Sequence, residues 1–327
     1  MKKIVSLLIC ALICLTCFAG CSGSAESNRI VIYTCATDYR IADMTEQLQQ
    51  AFPDYEFIIE YQSTSKLTAK LLAEGTNTDC DIVHDLSYLN LENLARDGIL
   101  ADLSGYDTSV YTDDVVTSKN YLPELRTGGA VIVNTEVLAK HGLEKPTCYE
   151  DLLKPEYKGL ISMPDPKSSG TGYMFLKALV NVWGEEKAFD YFAKLSDNIL
   201  QYTSSGSGPV NALVQQEVAI GLGMITNAAV QITEGMPLEI LIFDEGAPHT
   251  VYGQSIINGK ETKECVKEVF DYIINTYNYR SCELYAPEKI YKDKDFESEN
   301  FPADIKYCDM EGDTVEEKER LLQMWNN

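Results

Sequence analysis

Residues 30–84 read IVIYTCATDYRIADMTEQLQQAFPDYEFIIEYQSTSKLTAKLLAEGTNTDCDIVH, and this stretch decides the fold class. The apolar runs at 30–33, 57–61 and 81–84 are typical of buried strands, whereas residues 40–52 and 66–74 have the apolar spacing of helices. This alternation of three strands and two helices predicts a parallel α/β sheet.

Polar residues follow two of these predicted strands. Thr34, Thr37 and Asp38 come after the first strand, and Asp85 and Ser87 come after the third. Ligands of open α/β sheets bind at the carboxyl ends of the strands, so these five residues are candidate ligand-binding residues at the rim of a cleft.

A second series of elements follows, beginning with a glycine-rich strand at 127–134. The pattern predicts further strands at 160–163, 218–222, 238–243 and 251–257, and helices at 171–183, 185–195, 210–216 and 262–279. The helix at 262–279 has the most regular apolar stripe of the chain, which indicates core packing. The acidic tail 311–327 is predicted to be a surface helix docked by Leu321, Leu322 and Trp325.

Two segments rich in hydroxyl groups and glycine stand directly before predicted helices. Their candidate ligand-binding residues are Ser169, Gly170 and Thr171 in the first segment, and Ser205, Gly206 and Ser207 in the second. The free N–H groups of a helix start form an anion site, although Ser and Thr also favour that position simply as N-caps. Two such entries predict convergence on one polar ligand.

The first twenty-one residues predict export. Lys2 and Lys3 precede an apolar run at 4–18, which is the pattern of a signal peptide, and the run ends in Phe18-Ala19-Gly20-Cys21. This ending resembles the bacterial lipoprotein signal, which implies cleavage after residue 20 and lipidation of Cys21. The Ser- and Gly-rich residues 21–28 would then be a flexible tether, and the alternative is an uncleaved membrane anchor.

Charge excludes several classes of protein. The 327 residues contain 27 Lys and Arg against 50 Asp and Glu, a net charge of −23, and loss of Lys2 and Lys3 with the signal would leave −25. This balance disfavours a nucleic-acid binder.

Three scattered histidines give little material for a metal site. Six cysteines lie beyond Cys21, and they are either disulfide partners or small buried apolar residues.

No catalytic motif is complete. Gly206-Ser207-Gly208 lacks the spacing of a nucleophile elbow, and residues 253–261 depart from a phosphate-binding P-loop in length and in Glu261. We therefore predict no catalytic residues, no metal ligands and no cofactor.

The order of motifs along the exported chain resembles that of the extracellular solute-binding proteins of ABC importers. The resemblance rests on PTCYEDLLKPEYKG at 146–159, MPDP at 163–166 leading to Gly170 and Thr171, and EGMPLEILIFDEGAP at 234–248. It is strongest for the iron(III)-type branch, which also covers binders of thiamine, phosphonates and sugar phosphates.

This resemblance implies a two-lobed α/β fold of the type 2 periplasmic-binding-protein class, with two crossover strands and a ligand cleft between the lobes. Lobe one would comprise 29–126 and 244–327 and lobe two 127–243, with crossings near 126–129 and 243–246. It adds Thr226 and Asn227 to the candidate ligand-binding residues, and Glu245 stands out among the carboxylates of strand-end loops.

One departure from the family concerns the ligand. Members that bind bare ferric iron use paired tyrosines after the strand at 218–222, whereas this chain has GMITNA at 223–228. Neutral oxygen groups and helix starts suit a phosphate, phosphonate or carboxylate instead. Asp38 or Asp85 could meet an amine on the same ligand, which would then be a zwitterion such as an aminoalkylphosphonate.

The leading hypothesis is a lipid-anchored monomer on the outer face of a bacterial membrane. It would capture a phosphonate, a phosphorylated compound or a ferric complex and deliver it unchanged to an ABC permease and ATPase. The alternatives are a ligand sensor that signals to a membrane receptor and a secreted enzyme that uses carboxylates in the cleft.

Overall fold

A computed structural model describes residues 28–326, so the predicted signal peptide, Cys21 and most of the tether lie outside the described residues. Nine strands of this part of the chain form one curved, mixed sheet. The strands are β1 (Arg29–Thr34), β2 (Glu56–Tyr61), β3 (Ile82–Ser87), β4 (Leu122–Asn134), β5 (Ile161–Pro164), β6 (Ile199–Thr203), β7 (Ile220–Met224), β8 (Leu238–Leu241) and β9 (His249–Ile256). Their order is β2-β1-β3-β9-β4-β7-β5-β6, and β8 pairs with β4.

Helices cover the sheet and connect its strands. The α-helices are α1 (Asp38–Ala51), α2 (Thr64–Glu74), α3 (Tyr88–Arg96), α4 (Thr135–His141), α5 (Gly170–Trp183), α6 (Glu185–Leu195), α7 (Gly208–Val214), α8 (Ile225–Thr233), α9 (Glu264–Tyr272), α10 (Asn278–Tyr285) and α11 (Val315–Met324). Short 3₁₀ turns occupy Gly75–Asn77, Glu150–Leu153, Pro155–Tyr157 and Lys260–Thr262. None of the helices within residues 28–326 has both the length and the apolar character needed to cross a membrane.

The first part of the sheet has the predicted β-α-β-α-β order, and β1 pairs in parallel with both β2 and β3. Successive side chains of a strand point to opposite faces. Accordingly Ile30 and Ile32 pack in a core cluster with Met44 of α1, whereas Val31 packs in another with Leu67 of α2. Helices on both faces therefore bury residues 30–34 of the strand.

The long strand β4 joins two groups of elements. Residues 122–128 of β4 pair with β9, and residues 129–133 pair with β7. We call β1–β3, β9 and the helices around them the first lobe, and β5–β7 with α5–α8 the second lobe. The partner strand changes at Gly129. A Cβ at this position would lie 2.8 Å from the Phe175 ring, so the close packing here needs a glycine. The crossing predicted at 126–129 falls at this point.

The second predicted crossing, at 243–246, is not a strand. It lies in the connection from β8 to β9, where Gly246 has a φ of +93°. A Cβ on Gly246 would lie 2.8 Å from the backbone nitrogen of Cys308, so a tight turn against a later segment replaces the strand.

The predicted helix at 262–279 is continuous in direction but not in hydrogen bonding. It begins as α9, passes through a π-helical segment at Ile273–Tyr277 and continues as α10. Its stripe is buried as expected, with Val266, Phe270 and Ile273 fully buried. The sequence pattern missed α3, α4, α8, β6 and the part of α10 beyond residue 279.

The tail helix α11 packs on the second lobe, although residues 244–327 were predicted to belong to lobe one. Leu321 and Trp325 are buried in the cluster that contains Phe192 of α6, and the Trp325 ring lies 5.3 Å from the Phe192 ring. Contact between apolar side chains of the tail and apolar side chains of α6 determines this position. The six cysteines beyond Cys21 are free thiols.

Candidate ligand cleft

Loops from both lobes enclose a cavity at the carboxyl ends of the strands. Its empty volume is about 480 Å³, a figure that includes space open to solvent. We call it the inner cavity. It is lined by Cys35, Thr37, Tyr39, Arg40, Tyr61, Ser63, Thr64, Asp85, Ser169, Thr171, Ser205, Gly206, Ser207, Met224, Thr226, Asn227 and Tyr252.

The start of α5 supplies the best-defined donors of the second lobe. Ser169 is the N-cap, and its side chain accepts a hydrogen bond from the N–H of Gly172. The N–H groups of Gly170 and Thr171 have no acceptor among the described residues, because the first turn of a helix has no preceding carbonyls to bond. A Cβ on Gly172 would lie 2.4 Å from the Pro164 carbonyl oxygen, which fixes glycine at this position.

The loop before α7 meets the start of α5. The Ser205 and Ser207 hydroxyls lie 3.1 Å apart, and Thr203 donates to the Ser205 carbonyl. A Cβ on Gly206 would lie 2.1 Å from the Thr171 hydroxyl, so only glycine lets the two segments approach this closely. The two hydroxyl-rich helix entries seen in the sequence thus lie side by side.

The first lobe supplies the opposite wall. Thr37 lies between β1 and α1, and Ser63 and Thr64 follow β2. Thr37 Oγ1 and Ser63 Oγ are buried and have no hydrogen-bond partner within residues 28–326. Unpaired buried hydroxyls are costly, so both groups are available to a bound ligand.

The two lobes touch across the cleft. The Tyr39 hydroxyl donates to Asn227 Oδ1 at 3.1 Å, and the Ser65 hydroxyl donates to the Lys167 carbonyl at 2.6 Å. The Tyr252 hydroxyl of β9 reaches α5, since a Cβ on Gly170 would lie 3.0 Å from it. These contacts leave little open space between the walls of the inner cavity.

An outer cavity of about 670 Å³ adjoins the inner one. It shares the side chains of Thr37, Tyr39, Tyr61, Ser205, Ser207 and Asn227, and adds those of Ala36, Asp38, Asn211 and Gln231. Amide, hydroxyl and carboxylate groups therefore continue from the inner cavity toward solvent.

Asp85 lines the inner cavity, and its carboxylate is paired with Arg40; that it also meets a ligand amine stays a prediction. Arg40 Nη1 lies 2.9 Å from Asp85 Oδ1, and the same guanidinium bonds Glu124. The N–H of Asp85 donates to Glu124 Oε2, and His84 Nε2 lies 3.1 Å from Glu124 Oε1. These four residues form a buried ionic cluster beneath the cavity.

Burial and charge oppose each other in this cluster. Burial raises the pKa of Asp85, and the Arg40 guanidinium offsets part of that effect. Burial also acts to raise the pKa of Glu124, but His84 and Arg40 outweigh it and hold that pKa below its usual range. Arg40 is thus committed to two carboxylates, and it is the only basic side chain lining the two cavities within residues 28–326.

Four predicted ligand-binding residues do not line either cavity. Thr34 is buried, where its hydroxyl lies 3.1 Å from His84 Nδ1. The Ser87 hydroxyl accepts from Asn90. Glu245 lies away from the cleft, where its carboxylate accepts from the Trp183 indole. A fourth, Gly170, contributes its N–H and the space for Tyr252 rather than a lining side chain.

Several lining residues escaped the sequence argument. The strand β2 ends at Tyr61, and Ser63 and Thr64 come shortly after it. The expectation that ligands bind at the carboxyl ends of strands, used above for β1 and β3, also points to these three residues. Tyr252 comes from the antiparallel strand β9, and Arg40 lies inside a helix, so no strand-end rule points to either. Among the described residues, no group of three or more His, Cys, Asp or Glu could hold a metal ion.

Comparisons with known proteins agree with this architecture. Residues 92–283 match the family model described as bacterial extracellular solute-binding protein. An uncharacterized protein of Haemophilus influenzae is 31% identical over 265 residues, which cover 78% of this chain and 75% of that protein.

Solved structures match almost the whole chain. The periplasmic binding protein AfuA of Actinobacillus pleuropneumoniae, with exogenous fructose-6-phosphate bound, is 27% identical with a TM-score of 0.80, over 91% of this chain and 97% of that one. The periplasmic binding protein P5PA is 24% identical with a TM-score of 0.79, over 91% and 98%. Iron-bound HitA of Pseudomonas aeruginosa is 15% identical with a TM-score of 0.71, over 90% and 98%. The fold is therefore that of type 2 periplasmic binding proteins.

Proposed function

Because the chain belongs to the bacterial extracellular solute-binding protein family, we propose that it is the capture component of an ABC importer whose cargo carries a phosphate or phosphonate group. The cargo would bind in the inner cavity and pass unchanged to a permease. The observation that carries this proposal is the start of α5 with its two unpaired N–H groups, placed opposite unpaired hydroxyls of the first lobe.

The donor set suits an anion held by neutral groups. The N–H groups at the first turn of a helix and its dipole stabilise negative charge. Thr171, Ser205, Ser207 and Ser63 add hydroxyls around the same space. Because Arg40 is paired with Asp85 and Glu124, the charge of the cargo would be met by hydrogen bonds and not by a free cation.

The outer cavity would take the rest of the cargo. Its amide and hydroxyl groups and the exposed Asp38 carboxylate could bond hydroxyl or amino substituents. A phosphorylated cargo has further support from AfuA, since that relative is described with fructose-6-phosphate bound. A bare ferric ion has less support, because residues 223–228 contain no tyrosine pair.

The cargo class can be tested by calorimetry on the exported chain, residues 21–327 with Cys21→Ala. The probes are inorganic phosphate, fructose 6-phosphate, an aminoalkylphosphonate, thiamine and ferric citrate. We expect a phosphate or phosphonate compound to bind and to be recovered chemically unchanged. Binding confined to thiamine or ferric citrate, or turnover of the bound compound, would overturn the proposal.

Thr171→Pro tests the role of the α5 backbone. Proline keeps a helix start intact but removes the N–H, and we expect at least about tenfold weaker binding of the probe that binds wild type. Thr171→Ala is the matched control, because it removes the side-chain hydroxyl and keeps the N–H. Equal affinities of the proline and alanine variants would show that this N–H does not hold the ligand.

The anchor is proposed on sequence grounds alone. Lipidation of Cys21 would hold the protein at the outer face of the membrane, close to its permease. We propose that the protein is a monomer there. Mass spectrometry of protein extracted from washed membranes should show a chain that begins at Cys21 and carries the added mass of a diacylglyceryl group. An unmodified Cys21 or a chain that still begins at Met1 would exclude the lipid as the anchor.

A further inference from the structure

Residues 309–326, here called the tail, lie outside the sheet and contact both lobes. The tail contains α11 and the loop before it, and its charged and apolar groups face α3 of the first lobe and α5 and α6 of the second. It is therefore a connection between the lobes additional to the β4 strand and the turn at 243–246.

Apolar packing and hydrogen bonds fasten the tail to the second lobe. Trp325 and Leu321 are buried with Phe192 of α6. The Asn181 side-chain amide of α5 donates to the carbonyls of Asp309 and Glu311 at 3.1 and 3.0 Å. These contacts combine buried area with paired backbone groups, so they are the firmer part of the connection.

Leu89 of α3 belongs to the same apolar cluster as Leu321, and several polar contacts also join the tail to the first lobe. The Tyr88 hydroxyl of α3 lies 2.9 Å from the backbone oxygen and 3.2 Å from Oδ2 of Asp313. Lys318 Nζ donates to Asn90 Oδ1 at 2.9 Å, and Arg96 pairs with Glu316. The Arg96 pair is half exposed and contributes little, whereas the Tyr88 and Lys318 contacts are shielded from solvent.

One carboxylate joins the two lobes directly. Asp313 accepts from Tyr88 of α3 and also from the Tyr173 hydroxyl of α5, whose distance to Oδ1 is 2.6 Å. The Lys318 ammonium lies 5.4 Å from the centre of the Tyr173 ring and so spans the same gap. If the lobes separate while the tail stays on the second lobe, the Tyr88 and Lys318 bonds must break.

We propose that the tail is a non-covalent clasp that favours the closed arrangement of the two lobes, with Asp313 and Lys318 as its releasable contacts. A closed state favoured in this way is more populated before the ligand arrives. Because apparent affinity scales with the population of the binding-competent state, weakening the clasp lowers affinity without touching the cleft.

The test compares two double variants in the exported chain. Tyr88→Phe with Lys318→Met removes one tyrosine hydroxyl and one cation from the clasp and keeps both apolar bodies. Tyr191→Phe with Arg320→Met removes the same groups from contacts that do not reach the first lobe: the Tyr191 hydroxyl bonds the Tyr149 carbonyl, and Arg320 pairs with Glu185 and Glu317.

Small-angle X-ray scattering of the ligand-free proteins is the first measurement. We expect a larger radius of gyration for the clasp variant and a wild-type value for the control. A clasp variant with an unchanged or smaller radius of gyration would overturn the proposal. This measurement needs no ligand, so it is independent of the proposed cargo.

Affinity is the second measurement and rests on the proposed function. For the phosphate or phosphonate probe that binds wild type, we expect about fivefold or greater loss in the clasp variant and less than about twofold in the control. Equal losses in the two variants would show a general stability effect and would contradict a clasp. If circular dichroism shows that the double variant does not fold, Tyr88→Phe alone, paired with Tyr191→Phe, decides the same comparison.

Discussion

Arg40 shows at the residue scale how this protein keeps its cleft free of net positive charge. The side chain lies under the inner cavity, where Asp85 and Glu124 both bond its guanidinium. The guanidinium lies between these two carboxylates, and His84 Nε2 also contacts Glu124. Removing a single partner would leave an uncompensated buried charge, so the cluster is best understood as structural support for the cavity floor.

Glu288 is a second buried carboxylate, and it lies beside the point where β4 changes partner strand. A Cβ on Gly128 would lie 3.5 Å from Glu288 Oε1. Burial raises the pKa of Glu288 to about 7, while Tyr307, Arg126 and the Gly128 N–H act in the opposite direction. The folded protein therefore keeps this proton at pH values where the unfolded chain has lost it.

Glu288→Gln should flatten the dependence of stability on pH. Between about pH 4.5 and 7 the unfolded state binds fewer protons at this residue, so the wild-type free energy of unfolding falls as the pH rises through that window. The neutral variant lacks this loss, so its free energy of unfolding should exceed that of wild type by about 3 kcal/mol at pH 8, with little difference below pH 4.5. Urea unfolding at several pH values measures this difference.

The control for this prediction is Glu297→Gln, a neighbouring but exposed carboxylate. It should leave the pH profile of the free energy of unfolding unchanged. Parallel pH profiles for wild type and Glu288→Gln would mean that the buried Glu288 carboxyl titrates at its usual pH.

At the scale of elements, the tail helix depends on one aromatic side chain. Trp325 is 1% exposed and packs edge-on against Phe192 and Tyr202, with ring centres 5.3 and 6.3 Å away. Trp325→Ala should lower the free energy of unfolding by about 3–5 kcal/mol, because it leaves a cavity in the second-lobe core. Denaturant unfolding followed by circular dichroism gives the value.

Met324→Ala provides the comparison for Trp325→Ala. Met324 is the adjacent residue and is 38% exposed, so its truncation should cost less than about 1 kcal/mol. Similar costs for the two variants would mean that the tail does not derive its position from the buried indole.

At the scale of the whole molecule, the net charge of −23 opposes an anionic cargo during approach. Salt shortens the range of this field from about 30 Å at 0.01 M to about 8 Å at 0.15 M. Local donors in the cavity act only at contact. We therefore expect the association rate of a phosphate or phosphonate cargo to rise severalfold over this range of salt, with a smaller change in the dissociation rate.

Stopped-flow binding of the probe at the two salt concentrations, followed by intrinsic fluorescence, measures this effect. If an uncharged sugar that lacks the phosphate also binds, it serves as the control for general salt effects. An association rate that falls with added salt would indicate attraction, and hence a cationic cargo or a local positive field at the cleft mouth.

Short-range patterns of the sequence account for the local features of this protein. The β-α-β-α-β order of the first lobe and the hydroxyl-rich entries to α5 and α7 were predictable from the residues, because apolar spacing, glycine and helix-capping chemistry act over a few residues. The crossing near 126–129 was expected from the family resemblance. Thr171 and Ser205 were predicted at the cleft from their positions at helix starts, whereas Asn227 was added by the family resemblance.

Which of these groups remain free depends on contacts between distant segments. Asp85 was predicted to follow a strand but lies within β3, where Arg40, distant in sequence, pairs with it. Tyr252 enters the cleft from the antiparallel strand β9, and the tail contacts both lobes. Such pairings depend on which surfaces meet after folding, and the period of a single segment carries no information about its distant partner.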